Sequence, residues 1–192
     1  MVSSDRLTPV RRRWSYEEFA ALPDERKRNE IINGEVYETP TPSPKHQVIS
    51  MRLSVGLGTL VDTHRLGDLY AARIDVILND EHFVEPDLVF IRRERRAIVT
   101  ERAIEGTPDL IVEIASPVTA VRDRGIKRAC YAECGVPLYW VVDADLGHVE
   151  VYRLHDDSHA PPEIVRDTLT WQPVPGGPEL RVSVAKLLGR LD

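Results

Sequence analysis

Cysteine is nearly missing from this chain: two of 192 residues, Cys130 and Cys134. They lie four apart in a helical pattern, and no His or Cys is spaced along the sequence to complete a zinc site with them, so both are expected as buried free thiols. Long apolar runs are missing too. Nothing approaches the ~18 consecutive apolar residues of a membrane span, and the N-terminal stretch MVSSDRLTPVRRRW has no apolar segment like that of a signal peptide. A membrane partner is therefore not expected, and a cytoplasmic location is. There is no Gly-rich phosphate loop, and no nucleophile stands with a partner histidine, which argues against a small-molecule enzyme. His46, His64 and His82 read as surface residues. Positive charge is in deficit as well: 25 Lys and Arg against 31 Asp and Glu give a net charge of −6. That argues against broad adhesion to nucleic acid, but it leaves room for local patches at Arg11 to Arg13, Arg92 to Arg96 and Arg122 to Arg128.

What is there fits one domain over residues 1–192, with a core at about 44–154, long enough to bury its apolar residues without staples. Ser15 and Glu18 have capping-box spacing and open a short helix that Pro23 ends. Two apolar runs around Asn33-Gly34 signal a hairpin from Glu30 to Tyr37. Ser43 and Pro44 open a second helix, over about 44–63, with Val48, Met51, Val55 and Leu60 as its expected inward stripe. Strand patterns follow over Leu69 to Leu78, His82 to Ile91 and Asp109 to Ala115. Then come a helix from Thr119 to Cys134 stopped by Gly135, a strand over Pro137 to Val142 and another over Val149 to Leu154. Further strand-like runs and a short helix near Val184 to Leu188 close the chain. The order is that of an α/β fold with a mixed sheet.

The third strand carries the chemistry. Leu110, Val112 and Ile114 occupy one face, and Ile111 and Ala115 share the other with Glu113, so both faces are covered and Glu113 is a carboxylate among hydrocarbon. Asp87 repeats the pattern on the neighbouring strand, beside Val89 and Ile91. A divalent cation between them would keep both ionised. A structural network is the other reading: a turn at Asn79 to Glu81 would set Arg73 opposite Asp87 as a cross-strand ion pair, and Asp75 opposite Glu85. On the following helix Asp123 and Lys127 fall in the middle of the packed face, while Arg122, Arg128 and Glu133 point to solvent. Lys127 either pairs with Asp123 at i,i+4 or reaches over the sheet end toward the carboxylates.

The segments Glu30-Ile-Ile-Asn-Gly-Glu35, Pro42-Ser-Pro-Lys-His-Gln47, Glu85-Pro-Asp-Leu88, Pro108-Asp-Leu-Ile-Val-Glu-Ile-Ala-Ser-Pro117 and Asp123-Arg-Gly-Ile-Lys-Arg-Ala-Cys-Tyr131 resemble the Uma2 family (DUF820) of the PD-(D/E)XK nuclease superfamily. The resemblance runs from about Ser15 to Leu154. It implies a restriction-endonuclease-like αβββαβ core with a mixed central sheet, here with an N-terminal hairpin and a C-terminal β extension. It implies Asp87 and Glu113 as catalytic and metal-holding acids, Mg²⁺ or Mn²⁺ as cofactor, and hydrolysis of phosphodiester bonds in nucleic acid, with DNA the expected partner. Ala115 stands where the motif lysine belongs, and Lys127 on the next helix takes that role by resemblance. Glu30 matches the family's N-terminal glutamate, which implies a further catalytic group at the metal site or positioning water; the alternative is a solvated hairpin residue. Tyr131 and Ser116 are supporting candidates, against ordinary helix and cap packing. A nuclease-fold module without turnover, binding nucleic acid or a protein, is the alternative function, and a homodimer is compatible with either.

Overall fold

A computed structural model describes Trp14, Glu18 and residues 28–189. Except for Glu18, the expected helix from Ser15 to Pro23 lies outside the described residues, as does the Arg11 to Arg13 cluster. Strands β1 (Arg28–Ile32) and β2 (Glu35–Thr39) form the expected hairpin. Asn33 and Gly34 both take positive φ, 55° and 72°, which is what a two-residue type I′ turn demands.

Helix α1 (Pro44–His64) starts where the sequence places it, with the Ser43 hydroxyl accepting the His46 N–H. Its inward stripe is not the expected one. Ile49, Leu53, Leu57 and Val61 are buried, while Met51 and Val55 are 65% and 60% exposed. The helix carries apolar residues on more than one face, so periodicity alone did not choose between them. The four-residue spacing of the buried set also puts His46 on the inner face, three residues before Ile49.

The sheet expectation holds in its centre and breaks at the bends. Leu69 to Leu78 divides into β3 (Gly67–Ala71) and β4 (Val76–Asn79), and His82 to Ile91 into β5 (His82–Val84) and β6 (Leu88–Arg92). Pro86 has no N–H for a ladder, so the second strand cannot run through it. β3 and β6 stay in a six-stranded sheet of order β11-β10-β9-β8-β6-β3, while β4 and β5 turn into a second sheet of order β2-β1-β5-β4-β7. The added strands are β7 (Ile104–Glu105), β8 (Leu110–Ile114), β9 (Tyr139–Asp143), β10 (His148–Tyr152) and β11 (Glu163–Val165). The pair β8 and β9 is parallel and β6 and β8 antiparallel, the mixed arrangement expected of an αβββαβ core.

Every residue of β8 is buried. Leu110, Val112 and Ile114 join a core roofed by α1, by the hairpin β12 (Thr168–Trp171) and β13 (Leu180–Ser183), and by α3 (Val184–Leu188). Ile111 joins the opposite core with Val89, Ile91 and Tyr131. Each large aliphatic so buried contributes about 1.5–3 kcal/mol. Helix α2 covers that second face in three consecutive segments: Ala120–Arg122, a π turn Asp123–Lys127, and Arg128–Glu133.

At the β3 edge, a Cβ on Gly67 would overlap Ile91 O and press on Arg92. Gly67→Ala is therefore expected to lower stability by about 1–3 kcal/mol, read by urea unfolding with an unchanged m-value.

Candidate active site

Asp87 follows the strand break at Pro86, and β8 brings Glu113 alongside, since Leu88 pairs with Val112. The Ile114 N–H donates to Asp87 Oδ2 at 2.8 Å, and His46 Nε2 lies 3.1 Å from the same oxygen. Glu113 Oε1 accepts from Lys127 Nζ at 2.6 Å and from the Tyr131 hydroxyl at 2.8 Å. Lys127 and Tyr131 are four apart and both issue from the region of the π turn, which presents them on one face toward the sheet. The ammonium lies between two carboxylates, because Glu30 Oε1 stands 2.7 Å away on its other side.

Glu30 is not a solvated hairpin residue. It is 0% exposed, and its Oε1 also accepts the Glu85 N–H at 3.1 Å. Arg122 turns inward to the same carboxylate at 3.8 Å and donates to Thr39 Oγ1 and Glu38 O. Asp123, buried below the helix, feels Lys127 as well.

Asp87, Glu113, Asp123, Lys127 and Arg122 line one cavity of about 310 Å³, together with His46. Glu30 lies behind Lys127 and does not line it. Burial, first, and then the negative charges of Asp87 and Glu30 outweigh Lys127 and push Glu113 up to about 8. Burial likewise raises Asp123 against the pull of Lys127. With all groups ionised, the four carboxylates Glu30, Asp87, Glu113 and Asp123 face two cations, Lys127 and Arg122, leaving two negative charges in a buried space. That surplus, supplied by hard oxygen donors, fits a divalent cation of the Mg²⁺ or Mn²⁺ kind.

Several expectations need correction. Arg73 pairs with Glu85 at 3.3 Å rather than standing opposite Asp87, because both strands bend between them and the β4–β5 ladder ends at Val76 and Val84. Arg122 and Arg128 do not point to solvent. Arg128 donates to Ser158 O and Ala160 O and covers the Tyr152 ring, and Arg124 is held by Asp143 and Glu150 at 2.6 Å each. Arg92 and Arg95 bind Asp109 at the opposite end of β6 and β8 from the cavity, about 15 Å away at ~3.3 Å per residue. Ser116 lines the cavity and shares a cap with the Thr119 hydroxyl at 3.1 Å.

His82 is buried rather than on the surface. Its ring nitrogen and the sulfurs of Cys130 and Cys134 gather within 4.8 Å, a grouping invisible in the spacing because His82 comes from another element. His82 Nδ1 accepts the Asn33 N–H, so the neutral ring carries its proton on Nε2 and offers the thiols a donor, not a metal ligand. Both cysteines are free, but only Cys130 is buried. Hydrogen bonding from Cys130 lowers the Cys134 thiol, and raises Cys130 itself. Cys134 is expected to react with a disulfide reagent in the native state at least ~10-fold faster than Cys130, as followed by mass spectrometry of single Cys→Ser variants.

The Uma2 family profile, described as "Putative restriction endonuclease", matches residues 16–185. The chain belongs to the Uma2 family. A relative from Synechocystis sp. (strain ATCC 27184 / PCC 6803 / Kazusa), "Uncharacterized protein slr1290", is 29% identical over 138 residues, which is 70% of each chain. A crystal structure from Anabaena variabilis ATCC 29413, of "a putative nuclease belonging to DUF820", superposes with a TM-score of 0.74 at 20% identity, covering 91% of this chain and 97% of that one. That likeness shows that this Uma2 chain shares the fold of that structure. Among the described residues no helix is long and apolar enough to cross a membrane.

The residue that sequence reasoning missed is His46. The signal was in the Uma2-like segment Pro42 to Gln47 and in the stripe that continues through Ile49 and Leu53.

Proposed function

We propose that the protein is a Mg²⁺- or Mn²⁺-dependent endonuclease that hydrolyses phosphodiester bonds of DNA. The observation that carries this reading is the convergence of Asp87, Glu113 and Lys127 on one buried cavity, where burial and neighbouring carboxylates hold Glu113 up at about 8 until a cation compensates its charge. Asp87 and Glu113 would hold the cation, which when bound supplies an acidified water and offsets charge on the phosphate oxygens.

The chain's own groups do the rest. Lys127 Nζ, in contact with Glu113 Oε1, orients the attacking water and neutralises charge growing on the phosphorus-bound oxygens. Glu30 holds that ammonium forward from behind, and Tyr131 fixes the Glu113 carboxylate by donating to it. Attack by the water oxygen, whose proton passes to solvent, forms one P–O bond as another breaks, and the departing oxygen takes a proton from solvent.

The test is nicking of supercoiled plasmid with Mg²⁺ or Mn²⁺, in parallel with a chelator. Cation-dependent nicking that co-purifies with the protein and is absent from Glu113→Gln supports the reading. Binding of DNA without nicking under either cation would replace it with the turnover-free module.

A further inference from the structure

His46 stands in the first turn of α1, its N–H fixed on the Ser43 hydroxyl at 3.2 Å and its side chain only 14% exposed. Nε2 lies 3.1 Å from Asp87 Oδ2, and Nδ1 is buried with no hydrogen-bond partner among the described residues. Together with Asp87 and the Thr39 to Pro42 segment, it walls both the 310 Å³ cavity and a neighbouring one of about 370 Å³. An ionised carboxylate only accepts hydrogen bonds, so Nε2 carries the proton of the neutral ring and Nδ1 its lone pair.

That assignment decides between two roles. A ring ligating through Nε2 would need its lone pair there and would leave a buried N–H on Nδ1 with no acceptor, whereas a ring donating through Nε2 meets an anion. Oδ2 of Asp87 then accepts hydrogen bonds from Ile114 N and from His46, which together set the rotamer of the carboxylate.

We propose that His46 is the positioning residue of the metal site: by donating Nε2–H to Asp87 Oδ2 it holds that carboxylate in the orientation that takes the cation. The inference rests on the metal-dependent reading of the cavity. It also accounts for a polar residue at the head of an otherwise apolar stripe of Ile49, Leu53, Leu57 and Val61.

The probe is Mn²⁺ alone, titrated into the full chain, with free Mn²⁺ read by its electron paramagnetic resonance signal. Outer hydrogen-bond partners of ligating groups are worth ~10–100-fold in metal affinity, so His46→Ala and His46→Leu are each expected to weaken Mn²⁺ binding by about that factor. His46→Gln, whose amide nitrogen reaches about as far as Nε2, is expected to regain most of the loss at an equal melting temperature. The Leu variant keeps the stripe packed and serves if the Ala variant fails to fold. Wild-type Mn²⁺ affinity in a folded Ala or Leu variant would overturn the inference, as would a Gln variant no better than Leu. Hyperfine coupling of bound Mn²⁺ to an imidazole nitrogen, lost in His46→Gln, would also overturn it, because it would make His46 a ligand. Asp87→Asn separates the two levels: loss of Mn²⁺ binding there with none in the His46 variants sinks only this inference, while unchanged binding in Asp87→Asn sinks the metal-site reading itself.

Discussion

Asp87→Asn and Glu113→Gln are each expected to reduce cation-dependent nicking by on the order of 10³-fold or more, since each removes one of the two carboxylates that would hold the cation, and a catalytic metal is worth several kcal/mol. Neither variant should lose its fold. Glu113 is held up at about 8 by burial and by Asp87 and Glu30, above its ordinary 4.5, so the folded state binds more protons than the unfolded one in that interval. Metal-free wild type consequently loses stability as pH rises from about 4.5 to about 8 on account of this group. Glu113→Gln removes that dependence and should melt at the wild-type temperature or higher above pH 8 in chelator. Nicking and melting curves on the same samples read both effects. Retained nicking ends the assignment of the residue concerned, and a lower melting temperature of Glu113→Gln in metal-free buffer above pH 8 would make Glu113 a structural ion-pair member.

Lys127→Met should lose nicking and a large part of its stability. The ammonium is 2% exposed and sits 2.7 Å from Glu30 and 2.6 Å from Glu113, so methionine keeps the stem but removes the cation in contact with both buried carboxylates, with Arg122 remaining 3.8 Å from Glu30. Stranding a buried charge costs about 3–5 kcal/mol, roughly 10 °C in melting temperature for a chain of this size. The two roles separate in the double variant Lys127→Met with Glu30→Gln. Removing the Glu30 charge is expected to recover much of the stability without recovering turnover. If nicking returns together with the melting temperature, Lys127 is only a structural partner.

The sequence carried these residues unequally. Glu113 was legible because β8 reads as apolar on both faces, which makes a carboxylate within it conspicuous. Lys127 was legible because helical periodicity places it on the packed face, and its reach toward Glu113 was one of the two readings, but its second partner, Glu30, was not. Sequence spacing offered Asp123, four residues away, whereas Glu30 comes from the first hairpin, 97 positions upstream by number. The same limit hid His82 beside Cys130 and Cys134: elements brought together by the tertiary fold leave no local spacing to read. The stripe on α1 was misjudged for another reason. Met51 and Val55 are apolar and helically spaced, yet the face that packs on the sheet is set by Ile49, Leu53, Leu57 and Val61, and choosing that face would have revealed His46. The strand break at Glu85 to Asp87 was written in Pro86, but the break at Ala72 to Asp75 and a second sheet to receive β4 and β5 were not. The arginine clusters looked like phosphate-binding patches because sequence shows charge without its partners; in the fold, Asp109, Asp143 and Glu150 already hold Arg92, Arg95 and Arg124.

The central claim is that one divalent cation sits between Asp87 and Glu113, and anomalous scattering from a crystal soaked in Mn²⁺ measures that directly. The account predicts an anomalous peak within ligand distance, about 2.1–2.2 Å, of a carboxylate oxygen of each residue, abolished in Asp87→Asn. A crystal showing Mn²⁺ elsewhere, or no peak in the cavity with Lys127 still bridging Glu30 and Glu113 at saturating Mn²⁺, would contradict it.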